Sequence, residues 1–249
     1  MKEKRMTVNK PTTILLVRHA EVHNPDGILY GRLPRYGLSE LGRRQAGVTA
    51  RVLAEEPVSL IYTSPQLRAR QTAGIIARAH PGIPVRVTAL LAEVLTSWQG
   101  RPFSDLEKIG FDFYGNPLSE QDETLEKLWH RIEKFVRRTV RRHAGQTVVG
   151  VTHGDFIVLA RSVYSGLPLS VASMRAPHVY PGHGSITKLT FGPDLPGTYP
   201  ISVEYYDPNS PDPQWSEGWV RFGPQPQPQP QPLPDDGWRE RSSPHHQAG

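Results

Sequence analysis

Between residues 12 and 191, short β-branched runs alternate with stretches of helical periodicity, and this alternation constrains the fold more than any other feature of the chain. Strands are predicted over residues 13–17, 58–63, 85–88, 147–152 and 185–191, and helices over 39–56, 64–80, 123–143 and 155–165. Ser39 is placed to cap the first helix. Ser64 does the same for the second, with Pro65 at its first position, where the missing N–H costs nothing. Leu125, Leu128, Ile132, Phe135 and Val136 recur at helical spacing and give the third helix an apolar face. Strand–helix alternation implies a mostly parallel sheet covered on both sides, a three-layer α/β/α sandwich.

The rest of the chain is of a different kind. With 249 residues, 37% of them hydrophobic, the chain buries a core as one domain, expected over residues 12–222, after a leader of residues 1–11. Residues 192–216 read as loop around a strand at 201–206, and from Gly223 a Pro-Gln alternation that forms neither helix nor ladder implies a disordered tail. Such a tail is of the kind that proline-reading domains bind, with plain solvation as the other reading. There are no cysteines, which excludes a disulfide scaffold, thiolate-held zinc, iron–sulfur clusters and cysteine nucleophiles. The longest apolar run, residues 14–17, is far too short for a bilayer, and no signal-type stretch follows the basic Met1–Arg5 start, so a cytoplasmic enzyme without membrane contact is expected. The net charge of +5 suits anionic partners. Nucleic acid, anionic lipid and phosphorylated metabolites are the classes it allows, but the basic residues are dispersed, and the densest group, Arg137 to His143, falls at a helix end where cations complement the dipole, so a solvated helix face fits it better than a nucleic-acid patch.

In open α/β sheets, ligands sit beyond the carboxyl ends of the strands. Arg18 and His19 follow the first strand, Thr63, Ser64 and Arg68 the second, and His153, Gly154 and Asp155 the fourth. Arginine presents a planar fork of donors matched to phosphate oxygens, and helix N-termini at Ser64 and Gly154 add backbone N–H groups for the same anion. Two guanidinium groups also depress the pKa of a neighbouring imidazole, and a neutral imidazole is a nucleophile. His19 is the candidate for attack on phosphorus, and His153 for donation to the phosphoryl oxygens. Glu93, after the third strand, is the candidate proton donor for the departing alcohol, a role that calls for a raised pKa. Asp155 is its rival, here assigned instead as an N-cap. The two histidines lack a third ligand at zinc-like spacing, which argues against a metal.

These residues resemble the histidine phosphatase superfamily, with its phosphoglycerate mutase-like fold. Leu16-Val17-Arg18-His19-Ala20 is similar to the family's "RHG" signature. Gly31-Arg32, Leu38 to Gly42 and Gln45-Ala46 resemble its next segment, and Tyr62 to Pro65 with Arg68-Ala69 and Gln71-Thr72-Ala73 its "SS.L.RA.QTA" helix. Leu91-Ala92-Glu93 with Trp98-Gln99-Gly100, Val151-Thr152-His153-Gly154 and Gly184-Ser185-Ile186 resemble the remaining pieces, in family order. The resemblance implies a phosphomonoesterase with His19 as phosphorylated nucleophile, Glu93 as proton donor, and Arg18, Arg68 and His153 holding the phosphate, with no metal or other cofactor. The sequence departs from the pattern at Ala20, where glycine is usual, at Asn24, one residue early, and at Ser97, where glycine is expected before Trp98.

Asn24, Arg32 and Gly154 are further candidate substrate contacts, and His23, Arg101 and His183 either touch substrate or line the mouth. Substrate choice is expected between Phe103 and Glu123, where no mechanistic pattern is visible. Two other readings are a phosphoglycerate mutase-type phosphotransfer and a catalytically weak protein that only binds phosphate or a partner.

Overall fold

The computed structural model describes residues 10–175, 180–193 and 199–217. Most of the expected leader and all of the Pro/Gln-rich tail lie outside these residues. In chain order the elements are β1 (Thr12–Arg18), α1 (Glu40–Leu53), β2 (Val58–Thr63), α2 (Leu67–Arg78), β3 (Val85–Val87), a 3-10 turn (Ala89–Leu91), α3 (Phe103–Lys108), α4 (Leu125–Arg142), β4 (Thr147–Thr152), α5 (Gly154–Tyr164), α6 (Val171–Met174), β5 (Ile186–Phe191), β6 (Ser202–Tyr206) and β7 (Ser216–Glu217). Among the described residues, no helix is long and apolar enough to cross a membrane.

One sheet in the order β3-β2-β4-β1-β5-β6-β7 carries the architecture. The four strands β3, β2, β4 and β1 run parallel, while β5, β6 and β7 add an antiparallel flank. Strand β4 is buried at every residue and β1 at every residue but Arg18, as strands covered on both faces must be. Side chains alternate along β1 and so divide between two layers. Ile14 and Leu16 pack with Phe135 of α4 and Phe156 of α5, whereas Leu15 and Val17 pack with Leu53 of α1 and Ala73 and Ile76 of α2. Each Leu, Ile or Phe so removed from water contributes about 1.5–3 kcal/mol. Gly150 permits the closest approach: a Cβ there would lie 3.2 Å from the Phe135 ring and 3.3 Å from Leu16.

Ser39 caps α1 as expected, its Oγ accepting from the Gly42 N–H at 2.8 Å. Ser64 does not cap α2. Its N–H donates to Val151 O at 2.9 Å, so the chain is still travelling alongside β4, and the helix begins only at Leu67. Asp155 does not cap α5 either. His153 occupies that position, which leaves Asp155 inside the first turn with its carboxylate free for other partners. The segment 103–124, without pattern in the sequence, contributes α3 and an irregular loop.

Candidate active site

Strand register assembles the site. β1 and β4 pair Arg18 with Thr152, so the residues that follow leave adjacent strand ends together. The His19 N–H donates to Thr152 O at 2.9 Å, and the His19 and His153 rings stand 5.2 Å apart, centroid to centroid. β2 ends on the other side of β4, and the start of α2 there buries Arg68 completely. Three strand-to-helix turns thereby bring Arg18, His19, Arg68 and His153 to one rim.

The tautomer of His19 is fixed by its own backbone. Nδ1 lies 2.8 Å from the Ala20 carbonyl, which can only accept, so Nδ1 carries the proton and the neutral ring keeps its lone pair on Nε2. Its pKa is held well below the ordinary value, by burial above all and then by the charges of Arg68, His153 and Arg18. The arginines thus act as expected, but in second place to desolvation.

His153 sits with Nε2 2.7 Å from Ser64 Oγ and Nδ1 3.1 Å from both Arg68 Nη2 and Glu93 Oε2. Burial lowers its pKa to about 4, with Glu93 pulling it up and Arg68 pushing it down. Arg68 also donates to Gly31 O at 2.9 Å and to Glu93 Oε2 at 3.0 Å, and its guanidinium lies 4.6 Å from the centre of the Tyr30 ring. Arg18 donates to Pro181 O at 2.6 Å and lies over Tyr180. The Nε–H groups of both arginines are buried without a hydrogen-bond partner among the described residues.

Glu93 follows the 3-10 turn on a segment tied down from three sides. Arg131 of α4 donates to Leu90 O at 3.0 Å and Ala92 O at 2.6 Å, Arg32 donates to Glu93 O at 2.7 Å, and the Glu93 N–H donates to Gln66 Oε1 at 3.2 Å. Glu123 in turn accepts from Nε and Nη2 of Arg131, each at 2.8 Å. Burial alone would push the Glu93 pKa up, but His153, Arg68 and the Val94 N–H outweigh it and hold the carboxyl well below the usual range. The raised pKa expected of a donor is therefore not what the free site produces. Arg131 and Glu123 escaped the sequence reading because a cation and a carboxylate around an amphipathic helix look like its solvated face.

Two expected substrate contacts have their polar groups engaged elsewhere. The Asn24 amide donates to Ile28 O at 3.0 Å and accepts from its N–H at 3.3 Å, closing its own loop. Arg32 holds the Glu93 backbone and stands 3.7 Å from Glu123. His23 is exposed, and Arg101 lies over Trp98. His183 does reach the site: its ring stands 5.7 Å from that of His19, and burial followed by Arg18 lowers its pKa to about 3.

A cavity of about 400 Å³ opens on Arg18, His19, Glu93, Gly154 and Asp155. Gly154 is required by close approach, since a Cβ there would overlap the Tyr180 hydroxyl. The Asp155 carboxylate accepts from Tyr114 at 2.7 Å and Tyr180 at 3.0 Å, and its pKa is pushed up to about 6, by burial first and Glu93 second. Nitrogen and oxygen atoms of His19, Glu93 and His153 all lie within 4.8 Å of one another, so Glu93 joins the two histidines in a set of three metal-ligating residue types, where the sequence shows only two. The Arg68 guanidinium within 3.1 Å of two of these groups favours an anion there over a further cation.

Strand-end imidazoles beside two guanidinium groups, at the carboxyl ends of a mostly parallel sheet, define an α/β protein with a cationic strand-end site. The chain belongs to the histidine phosphatase superfamily (branch 1), whose family model matches residues 14–197. It is 33% identical over 162 residues to phosphoserine phosphatase 1 of Hydrogenobacter thermophilus, covering 62% of this chain and 75% of that protein. It is 43% identical over 90 residues to an uncharacterized protein of Mycobacterium tuberculosis, a match covering 36% of this chain and only 44% of that protein's length. Among solved structures, Bacillus stearothermophilus YhfR is similar with a TM-score of 0.63 at 28% identity, over 72% of this chain and 90% of that one.

Proposed function

We propose that this chain hydrolyses small phosphorylated metabolites in the cytoplasm, through a phosphohistidine and without a metal or other cofactor. The observation that carries the reading is the His19 Nε2 lone pair, directed by the Ala20 carbonyl and buried between Arg18 and Arg68. The Nε–H groups of the two arginines, without a partner among the described residues, supply donors that phosphate oxygens would satisfy.

Nε2 attacks phosphorus in line, forming a P–N bond as the P–O bond to the alcohol breaks. Arg18, Arg68 and His153 stabilise the charge on the equatorial oxygens. The leaving oxygen takes its proton from Glu93. Arriving phosphate competes with that carboxylate for Arg68 and His153, and adds negative charge beside it, both of which raise its proton affinity. In the second step Glu93 receives a proton from water, whose oxygen attacks phosphorus and breaks the P–N bond. Asp155 is a second candidate donor, because its carboxyl lines the same cavity with a pKa near 6.

The test is release of p-nitrophenol and phosphate from p-nitrophenyl phosphate in excess chelator, with acid-labile phosphoprotein trapped by rapid quenching. His19→Ala should abolish both signals. Undiminished turnover in that variant, or activity lost to the chelator, overturns the mechanism, and isomerisation of 3-phosphoglycerate without phosphate release would replace hydrolysis by mutase chemistry. Comparing Glu93→Gln with Asp155→Asn on alkyl and aryl phosphates identifies the donor as the residue whose loss hurts poor leaving groups most.

A further inference from the structure

Phosphate needs only the floor of the cavity, and the wall above it is of a different character. Phe103, Leu106, Phe111 and Phe113 line it from α3 and the loop that follows, and Val171 and Met174 line it from α6. Two charged side chains, Arg175 and Asp155, also stand on this wall among the described residues. Arg175 stands 4.0 Å from Asp112, and Asp155 accepts two tyrosine hydroxyls. Against six apolar side chains these two charges cover little of the wall, so a charged leaving group would lose its water over most of the surface it meets.

Phe111 adds an independent observation. Its φ is +58°, in the left-handed region that is unfavourable for a bulky side chain and that glycine or asparagine adopts at less cost. Its N–H donates to Leu106 O at 2.7 Å, closing α3, so the backbone bond explains the turn but not the choice of residue. The ring is about half exposed, 48%, and stands 6.4 Å from Phe103, so folding gains little from it. A strained backbone and an exposed aromatic ring both work against stability, and both make sense where the ring meets a ligand.

We propose that the cavity is a leaving-group pocket for bulky, uncharged, aromatic alcohols, with Phe111 as a specificity-determining residue. The proposal rests on the phosphatase reading and names its substrate class: phosphomonoesters of such alcohols, cleaved by water to the free alcohol and inorganic phosphate.

The experiment compares kcat/KM for 3-phenylpropyl phosphate, propyl phosphate and phosphoserine, all primary alkyl esters of similar intrinsic reactivity. A buried carbon is worth about fourfold, so burial of half the added phenyl carbons gives roughly 60-fold in favour of 3-phenylpropyl over propyl phosphate. Phosphoserine should fall below propyl phosphate. Equal values for the three, or a preference for phosphoserine, overturn the proposal while leaving hydrolysis standing. Failure to cleave any of them together with p-nitrophenyl phosphate overturns the phosphatase reading itself. Phe111→Asn, which suits the left-handed backbone, should keep or raise Tm while the 3-phenylpropyl to propyl ratio drops about tenfold. An unchanged ratio in that folded variant removes Phe111 from the role.

Discussion

Arg68→Met probes the electrostatics of the site without depending on turnover. Methionine retains much of the buried volume and removes the guanidinium, whose side chain is 1% exposed against 18% for its partner Glu93. Glu93 is then left with the Val94 N–H and His153, and the Gly31 carbonyl loses its donor. Stranding one member of a buried pair costs about 3–5 kcal/mol, and the partial exposure of Glu93 points to the lower end, about 3 kcal/mol. For a domain of this size that is a fall in Tm of about 6–12 °C. Glu93→Gln in the same chain removes the stranded charge, so the double variant should recover about 1–2 kcal/mol of the loss. The pH dependence follows from the direction of the Glu93 shift. A carboxyl held below its ordinary range contributes stability that is present above about pH 4–5 and is lost as the pH falls towards its folded pKa. The Arg68→Met penalty should therefore be largest near neutrality and shrink in acid, where the stranded carboxylate takes up a proton. Urea unfolding of the wild type, both single variants and the double variant, at about pH 7 and about pH 4.5, measures all of this. Additivity within about 0.5 kcal/mol, or a penalty independent of pH, would refute the reasoning.

Because His19 stays neutral well below the ordinary imidazole pKa, kcat/KM corrected for substrate ionisation should hold as the pH falls through 6.5, with its acid limb lower still. A limb centred at 6.5 or above, in a pH–rate profile, would show that the nucleophile is not desolvated as described. Arg131→Met should strand the Glu123 carboxylate, 10% exposed, and free the Leu90 and Ala92 carbonyls, lowering stability by about 2–4 kcal/mol. An unchanged urea midpoint would exclude Arg131 as the clamp on the Glu93 segment.

What the sequence reveals and what it hides divides along a physical line. Strand β1, helix α4 and the turns after β1, β2 and β4 were legible because their signals are periodic or local: alternation, helical spacing, a polar residue at a strand end. The meeting of Arg18, His19, Arg68 and His153 followed from the one further rule that parallel strands open their carboxyl ends to the same side. Residues whose partner is remote in the chain were not legible. Ser64 carries a good local cap signal, yet its hydroxyl turns to His153, 89 residues away. Asp155 likewise faces Tyr114 and Tyr180 across the cavity. The segment from Phe103 to Glu123 was expected to hold the pocket wall, but which of its residues do so was not legible, since its aromatic residues follow no regular period. The depressed pKa of Glu93 was out of reach for the same reason, being set chiefly by His153 at the start of α5 and Arg68 of α2.

The bond between His19 Nδ1 and the Ala20 carbonyl decides which isomer of phosphohistidine this chain could form. Only the tele nitrogen is open, so the adduct would be the Nε2-linked one. The hydrogen bond to its own main chain would favour one ring orientation through both half-reactions. Departing alcohol and incoming water would therefore use a single line of approach, and the wall that selects the first would also govern how the second gets in.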